Sequence, residues 1–313
     1  MGTQVNQWVK FSGLLETETE YLNQDFKNNR KTSRIETPVL ALQLGFELTF
    51  TEWLIAELIV ETEYDGKRTL LDLDEGYIGL ETEQWGIKAG RQYLSFGEYN
   101  SYFITGPMLE FGETRGEALI IDYSPIEEIE FTAFVFASEV GSSNGNPDID
   151  WGASINFVSE DEMFNLGVSY LSDLAENKEQ ILEGSDYDRR VSAWSAYALF
   201  SFNNYEFSAE IVQASRSFTE LDEHVDKPIS YNLELAYFPT TSTQFALRFE
   251  HSDELSDQPH WQYGVSATWR PIDRVNISLE YLYGRFQNNF AFDDEEHELN
   301  ERHLVALQLA LEF

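Results

Sequence analysis

Alternation with a period of two runs along most of the chain, and it decides what the chain can become. In WVKFSGLLETETEY, Val9, Phe11, Gly13, Leu15, Thr17, Thr19 and Tyr21 share one face, while Lys10, Ser12, Leu14, Glu16, Glu18 and Glu20 share the other. VLALQLGFELTF sets Leu40, Leu42, Leu44, Phe46, Leu48 and Phe50 against Gln43, Gly45, Glu47 and Thr49. Leu54, Ala56, Leu58, Val60 and Tyr64 then oppose Glu57, Glu61 and Glu63. The last segment, RHLVALQLALEF, opposes Val305, Leu307, Leu309, Leu311 and Phe313 to Gln308 and Glu312. Successive side chains of a strand point to opposite faces, so each segment is a strand with one greasy and one polar side. Helical spacing is weak throughout, and the chain is all-β.

The connections and the aromatic residues say what covers the greasy sides. Short turns such as TFTEW, SPIEE, PTTST and RPID alternate with longer connections. The longer ones are NQDFKNNRKTSR, the stretch from Leu94 to Arg115, LAENKEQILEGSDYDR, SFTELDEHVDKP and QNNFAFDDEEHELNER. Short turns on one side and long loops on the other characterise bacterial outer-membrane barrels. Trp8, Phe50, Trp53, Trp85, Trp269 and Phe313 fall near the short-turn ends, and Tyr21, Tyr64, Trp151, Tyr170, Trp261 and Tyr281 nearer the long-loop ends. Two aromatic belts are what the two interfaces of a bilayer select. The expectation is a transmembrane antiparallel β-barrel of about 16 strands, an even number. Residues 1–313 are read as one barrel domain in the bacterial outer membrane. A soluble all-β protein is the competing architecture, and sorting of aromatics to strand ends speaks against it.

Composition removes other classes. The formal net charge is −36, so the chain is not expected to hold nucleic acid phosphates. There is no cysteine, which excludes disulfides and thiolate metal sites. Aromatics make up 15% of the residues, more than an acidic disordered chain carries. No apolar run is long enough for a transmembrane helix, and the start, MGTQVNQW, has no apolar stretch to read as a signal peptide. No GxSxG elbow and no Gly-rich phosphate loop appear, so no catalytic residue is assigned and no enzyme activity is expected. The five histidines, His224, His251, His260, His297 and His303, and the run DDEEHE at Asp293–Glu298 lack a diagnostic ligand spacing. They are read as a solvated acidic loop bridged by calcium or magnesium to lipopolysaccharide, the other reading being a divalent-cation site of histidines and carboxylates; no metal site and no cofactor is assigned.

Three stretches carry a family resemblance: DEGYIGL at Asp74–Leu80, AGRQYLSFGEY at Ala89–Tyr99 and LEFGETRGEALIIDY at Leu109–Tyr123. Together they resemble the LbtU-type siderophore porins, whose proposed role is to carry ferric siderophores without an energy-coupled plug. The resemblance implies an outer-membrane barrel and siderophore-mediated iron uptake. It departs in one respect: those porins carry an N-terminal extension of helical character, whereas this sequence begins directly at its first strand.

A barrel of this size has a water-filled interior, so the polar faces line a lumen. By parity the lumen receives Glu16, Glu18, Glu20, Glu47, Glu57, Glu61, Glu63, Glu75, Glu130, Glu210, Glu234, Glu250 and Glu280, opposed by Lys10, Lys88, Arg248, Arg270 and Arg91. Carboxylate rows favour cations in a pore. The Leu94–Arg115 connection, with Phe96, Tyr99, Tyr102 and Phe103, is too apolar for a freely solvated loop. Folded inward, it narrows the pore with Arg91, Glu98, Glu110, Glu113 and Arg115 at the constriction. The other reading packs it on the outer rim or on a neighbouring subunit. Arg91 and Arg115 either pair with Glu98, Glu110 or Glu113 or form a basic strip. The expected function is passive diffusion of small solutes or ferric siderophores, with cation preference, in a homotrimer by analogy with barrels of this size. A structural or partner-binding barrel without an open channel is the alternative.

Overall fold

The computed structural model describes residues 2–64, 66–137, 149–174, 181, 189–219, 221, 225–287, 291 and 297–313. Its strands are β1 Thr3–Asn6, β2 Val9–Phe26, β3 Lys31–Ile35, β4 Val39–Thr51, β5 Leu54–Tyr64, β6 Thr69–Glu81, β7 Trp85–Tyr93, β8 Arg115–Ile126 and β9 Ile129–Ala137. They continue as β10 Ile149–Val158, β11 Phe164–Leu171, β12 Ala193–Phe202, β13 Tyr205–Ala214, β14 Ile229–Thr240, β15 Thr243–Asp253, β16 Trp261–Ile272, β17 Val275–Arg285 and β18 Leu299–Glu312. Sixteen of them, β2 and β4 to β18, form a closed antiparallel ring in which β18 pairs back onto β2. β1 is a short hairpin arm on the inner end of β2, and β3 pairs with the outer end of β2 above β4. Closure matters because hydrocarbon offers no partner for an open sheet edge.

The chain ends seal the ring. Gly13 N donates to Phe313 O at 2.8 Å and Phe313 N to Gly13 O at 2.9 Å. The Phe313 ring packs 5.9 Å from that of Phe11 on the outer face. Outward rows stay exposed along the wall: Ile78 is 60% exposed, Val168 59% and Leu247 56%. Trp8, Trp53, Trp85 and Trp269 are exposed near the short turns, and Tyr21, Tyr64, Trp151 and Tyr263 near the long connections. No helix among the described residues is long and apolar enough to cross a membrane.

Two local features differ from the sequence reading. The stretch NQDFKNNRKTSR is largely strand, because β2 extends to Phe26 and β3 begins at Lys31. The inward row continues as Leu22, Gln24 and Phe26, which pairs with Leu299, so the alternation had not ended. In β6 the register slips: Ile59 faces Glu75 and Val60 faces Leu73, leaving Asp74 as an inserted bulge residue. The bulge turns Asp74 inward, where Gln43 Nε2 donates to it at 3.2 Å.

Candidate functional site

The inner wall has two unlike halves. From β8 to β13 its inward residues include Ala118, Ile120, Phe134, Phe136, Leu171 and Val212, all buried. An apolar lumen wall demands a cover, and the connection between β7 and β8 supplies it. Its Leu94, Phe96, Leu109 and Phe111 pack into one cluster with that wall. Gly97 and Tyr99 adopt positive φ, +79° and +53°, to turn the chain into the barrel. At Gly97 a Cβ would lie 2.5 Å from the Tyr99 ring, so no larger residue fits that turn.

Four glutamates then hold the loop backbone, each from a different strand. Glu210 on β13 accepts from Glu98 N and Tyr99 N, both at 2.8 Å. Glu234 on β14 accepts from Tyr102 N at 2.8 Å. Glu280 on β17 accepts from Ile104 N at 2.6 Å and from the Thr105 hydroxyl. Glu250 on β15 accepts from Met108 N at 2.7 Å, where the 3-10 helix Met108–Gly112 starts the return leg. Arg248 lies among them, its Nε 2.8 Å from Glu234 and its Nη1 donating to Thr105 O at 2.8 Å. Its guanidinium sits 4.2 Å over the Phe103 ring. Gly264 makes room for that ring, since a Cβ there would come within 2.6 Å of it. Hydrogen bonds of backbone N–H to carboxylates are charge-assisted, and together they fix the loop across the lumen.

The opposite half, β2 and β4 to β7, is largely left open by the loop; on β2 only the outer end meets it, where Leu22 shares a cluster with Phe103 and Ile104. Glu16, Glu18, Glu61 and Glu75 are inward and half-buried there. Among the described residues none of these four has a cation within ion-pair distance, whereas Lys10 pairs with Glu47 at 2.7 Å. Glu57 accepts from the Tyr77 hydroxyl at 2.6 Å. Arg115 reaches Asp72 at 2.7 Å and also binds the bulge residue Asp74.

The structure therefore redistributes the residues picked out from the sequence. The loop does lie inside the barrel, but Phe96 is fully buried on its wall side, away from any opening. Tyr102 turns its hydroxyl to Glu206 at 2.7 Å, and Phe103 packs beneath Arg248. Glu98 and Tyr99 meet the wall through their backbone. Arg91 does not line the lumen: it shares the outward row of β7 with Ile87 and Ala89, and its Nε donates to Leu73 O at 3.0 Å. Arg115 takes Asp72 and Asp74 on β6 as its ion-pair partners, and its charge also acts on Glu113 of the loop. Glu234 and Glu280 point inward as expected, but they are 1% exposed and occupied by the loop, not free lumen charges. Burial raises the carboxyls of Glu98, Glu110 and Glu113, and Glu110 reaches about 7, with Glu113 adding to the shift and Arg248 opposing it. His224 and Asp293–Glu296 lie outside the described residues. His297 is 2.7 Å from Arg30 Nη1, and no metal-ligand cluster occurs among the described residues.

The comparisons agree on the architecture. An anion-selective porin from Comamonas acidovorans superposes with a TM-score of 0.71 at 11% identity, over 97% of this chain and 99% of that one. Salmonella typhi OmpF in complex with daunomycin gives 0.70 at 13% identity, over 100% of both chains. The outer-membrane channel DcaP of Acinetobacter baumannii gives 0.65 at 12% identity, over 100% and 99%. No curated protein matches the sequence. The family model for Gram-negative porins matches residues 4–302. With that match on a closed sixteen-stranded ring, the chain belongs to the Gram-negative porins, outer-membrane channels for solute diffusion rather than enzymes.

Proposed function

We propose that this porin is a cation-preferring diffusion channel whose passage runs between the inserted loop and the acidic wall of β2 and β4 to β7. One observation carries this reading: four inward carboxylates without an ion-pair cation among the described residues, Glu16, Glu18, Glu61 and Glu75, gather on the wall that the loop leaves largely uncovered. Fold alone does not set the sign of selectivity, since a neighbour with the same fold is described as anion-selective. The sign must come from lumen charge, and carboxylate rows on a low-dielectric wall produce a negative potential. Glu98, Glu110, Glu113, Tyr99 and Tyr102 belong to the loop that narrows this passage, with Arg115 anchoring the facing bulge.

Ferric-siderophore uptake is the narrower reading. The three stretches that support it, Asp74–Leu80, Ala89–Tyr99 and Leu109–Tyr123, form the β6 bulge, the loop entry and the loop exit. An anionic ferric complex meets an unfavourable potential on the acidic wall, so cationic and neutral solutes are the better fit. A trimer is proposed as well, because a trimer form is described for the neighbouring OmpT of Vibrio cholerae. Lipid and lipopolysaccharide would contact the exposed outer rows. The test is planar-bilayer recording with competing solutes. Steady open steps that divalent cations modulate are expected. A reconstituted, folded barrel without open steps would instead favour the structural role. Block by ferric siderophore alone would favour iron uptake.

A further inference from the structure

Above the inserted loop, on the long-connection side, lies a pocket of about 400 Å³ that diffusion alone does not require. Its floor is the loop tip, Thr105–Met108 with Glu110 and Phe111. Its roof is Leu255–Gln258, between β15 and β16, and its back wall is Gln262, Leu282, Arg302 and Leu304. That volume sits at the small end of ligand pockets, which span roughly 300–1,000 Å³.

Arg302 is what distinguishes it. The other arginines on the lumen wall are held close: Arg248 by Glu234, Arg115 by Asp72 and Asp74, Arg270 by Asn276 at 2.9 Å. Arg302 is part-buried, and among the described residues its side chain makes one hydrogen bond, a long approach of Nη2 to Gln262 Oε1, 3.5 Å. Its guanidinium lies 5.5 Å from the Phe286 ring centroid. Among the described residues no carboxylate comes within ion-pair distance; Glu20, Glu250 and Asp257 act on it only from further away. A planar fork of N–H donors left facing a cavity matches a carboxylate in two-point fashion. The same lining carries the carboxylates Glu110 and Asp257, and an apolar side formed by Met108, Phe111, Leu282 and Leu304.

A simple anion would meet those acids, and a simple amine would meet Arg302. A molecule carrying both charges on an apolar body satisfies every part of the lining. We propose that this pocket binds a zwitterionic α-amino acid or dipeptide with an apolar side chain, its carboxylate on Arg302 and its ammonium on Glu110 and Asp257. The site names a solute class for the channel proposed above, and it rests on that reading only for its place on the route.

Calorimetry on the folded, detergent-solubilised barrel tests it with three probes of similar shape: L-leucine, 4-methylpentanoate and 3-methylbutylamine. Saturable leucine binding is expected, with each one-charge analogue weaker by about tenfold or more. Arg302→Gln should abolish the leucine signal while the barrel keeps its folded gel mobility. Asp257→Asn, in the roof connection, should weaken leucine more than 4-methylpentanoate, and it serves if the first variant does not fold. Absence of saturable leucine binding by the folded wild type overturns the site, as does equal binding of leucine and 4-methylpentanoate. A protein that conducts but binds no leucine refutes the pocket and leaves the channel standing. One that binds leucine without conducting does the opposite.

Discussion

At the scale of single residues, a glutamate's neighbours decide its role. Glu210, Glu234, Glu250 and Glu280 share their inward faces with small or apolar residues such as Ser208, Val212, Ala236, Ser252 and Leu282, and each ends up holding loop backbone. Glu16, Glu18 and Glu20, or Glu57, Glu61 and Glu63, stand in acidic rows and face the uncovered side. Parity put all of them in the lumen, but it is blind to which inward charges a distant loop will claim. An inward Glu amid small neighbours, with Arg248 two residues before Glu250 on β15, was the available signal. Arg248 is buried between Glu234 and Glu250, so Arg248→Met should cost about 3–5 kcal/mol of barrel stability, read from the heat or denaturant midpoint of gel mobility. Glu16→Gln on the uncovered wall should stay within about 0.5 kcal/mol in the same assay. Glu110 adds a pH dependence. Its folded value near 7 lies above the ordinary 4.5, so the docked loop favours the protonated form. That stabilisation is full below the ordinary value and is lost as pH rises through about 7. Open-channel noise from loop motion should therefore grow from about pH 5 to about pH 8, and Glu110→Gln should hold it low across that range.

At the scale of elements, the strands were readable because a period of two is a local property, and the ring adds only register. The β6 bulge was not readable: DLDEG alternates no worse than its neighbours, and only the pairing with β5 exposes Asp74 as the extra residue. The inserted loop was half readable. Its aromatic content announced that it packs on something. What it packs on, the apolar half-wall of β8 to β13, becomes apparent only when strands far apart in sequence are assembled. Arg91 was misplaced because the expected constriction was drawn from nearness in sequence, whereas its alternation with Gly90 and Gln92 sends it outward. Since Leu94 N already donates to Thr114 O at 2.9 Å, removing Gly97 to Glu113 leaves a loop base that can close. Single-channel conductance should then rise by roughly twofold or more, and unchanged conductance would remove the loop from the passage.

At the scale of the whole molecule, the arrangement is a division of labour around one ring. The half-wall of β8 to β13 is apolar and becomes a core once the loop lies on it, while the half-wall of β2 and β4 to β7 keeps its carboxylates in water. Chain-wide acidity alone would not produce selectivity, because surface charge is screened within about 8 Å at physiological salt. Charge placed along a narrow passage between the loop and a low-dielectric wall is screened far less. Neutralising Glu16, Glu18 and Glu61 together should lower the preference for K⁺ over Cl⁻, whereas the outward Glu117→Gln should leave it unchanged. The most direct measurement is the reversal potential of the wild-type channel across a KCl gradient. A potential whose sign reports K⁺ as the more permeant ion, reduced in the Glu16, Glu18 and Glu61 variant, is expected; a potential reporting Cl⁻ as the more permeant ion, or one indifferent to those three glutamates, would contradict the assignment of the acidic wall as the selectivity element.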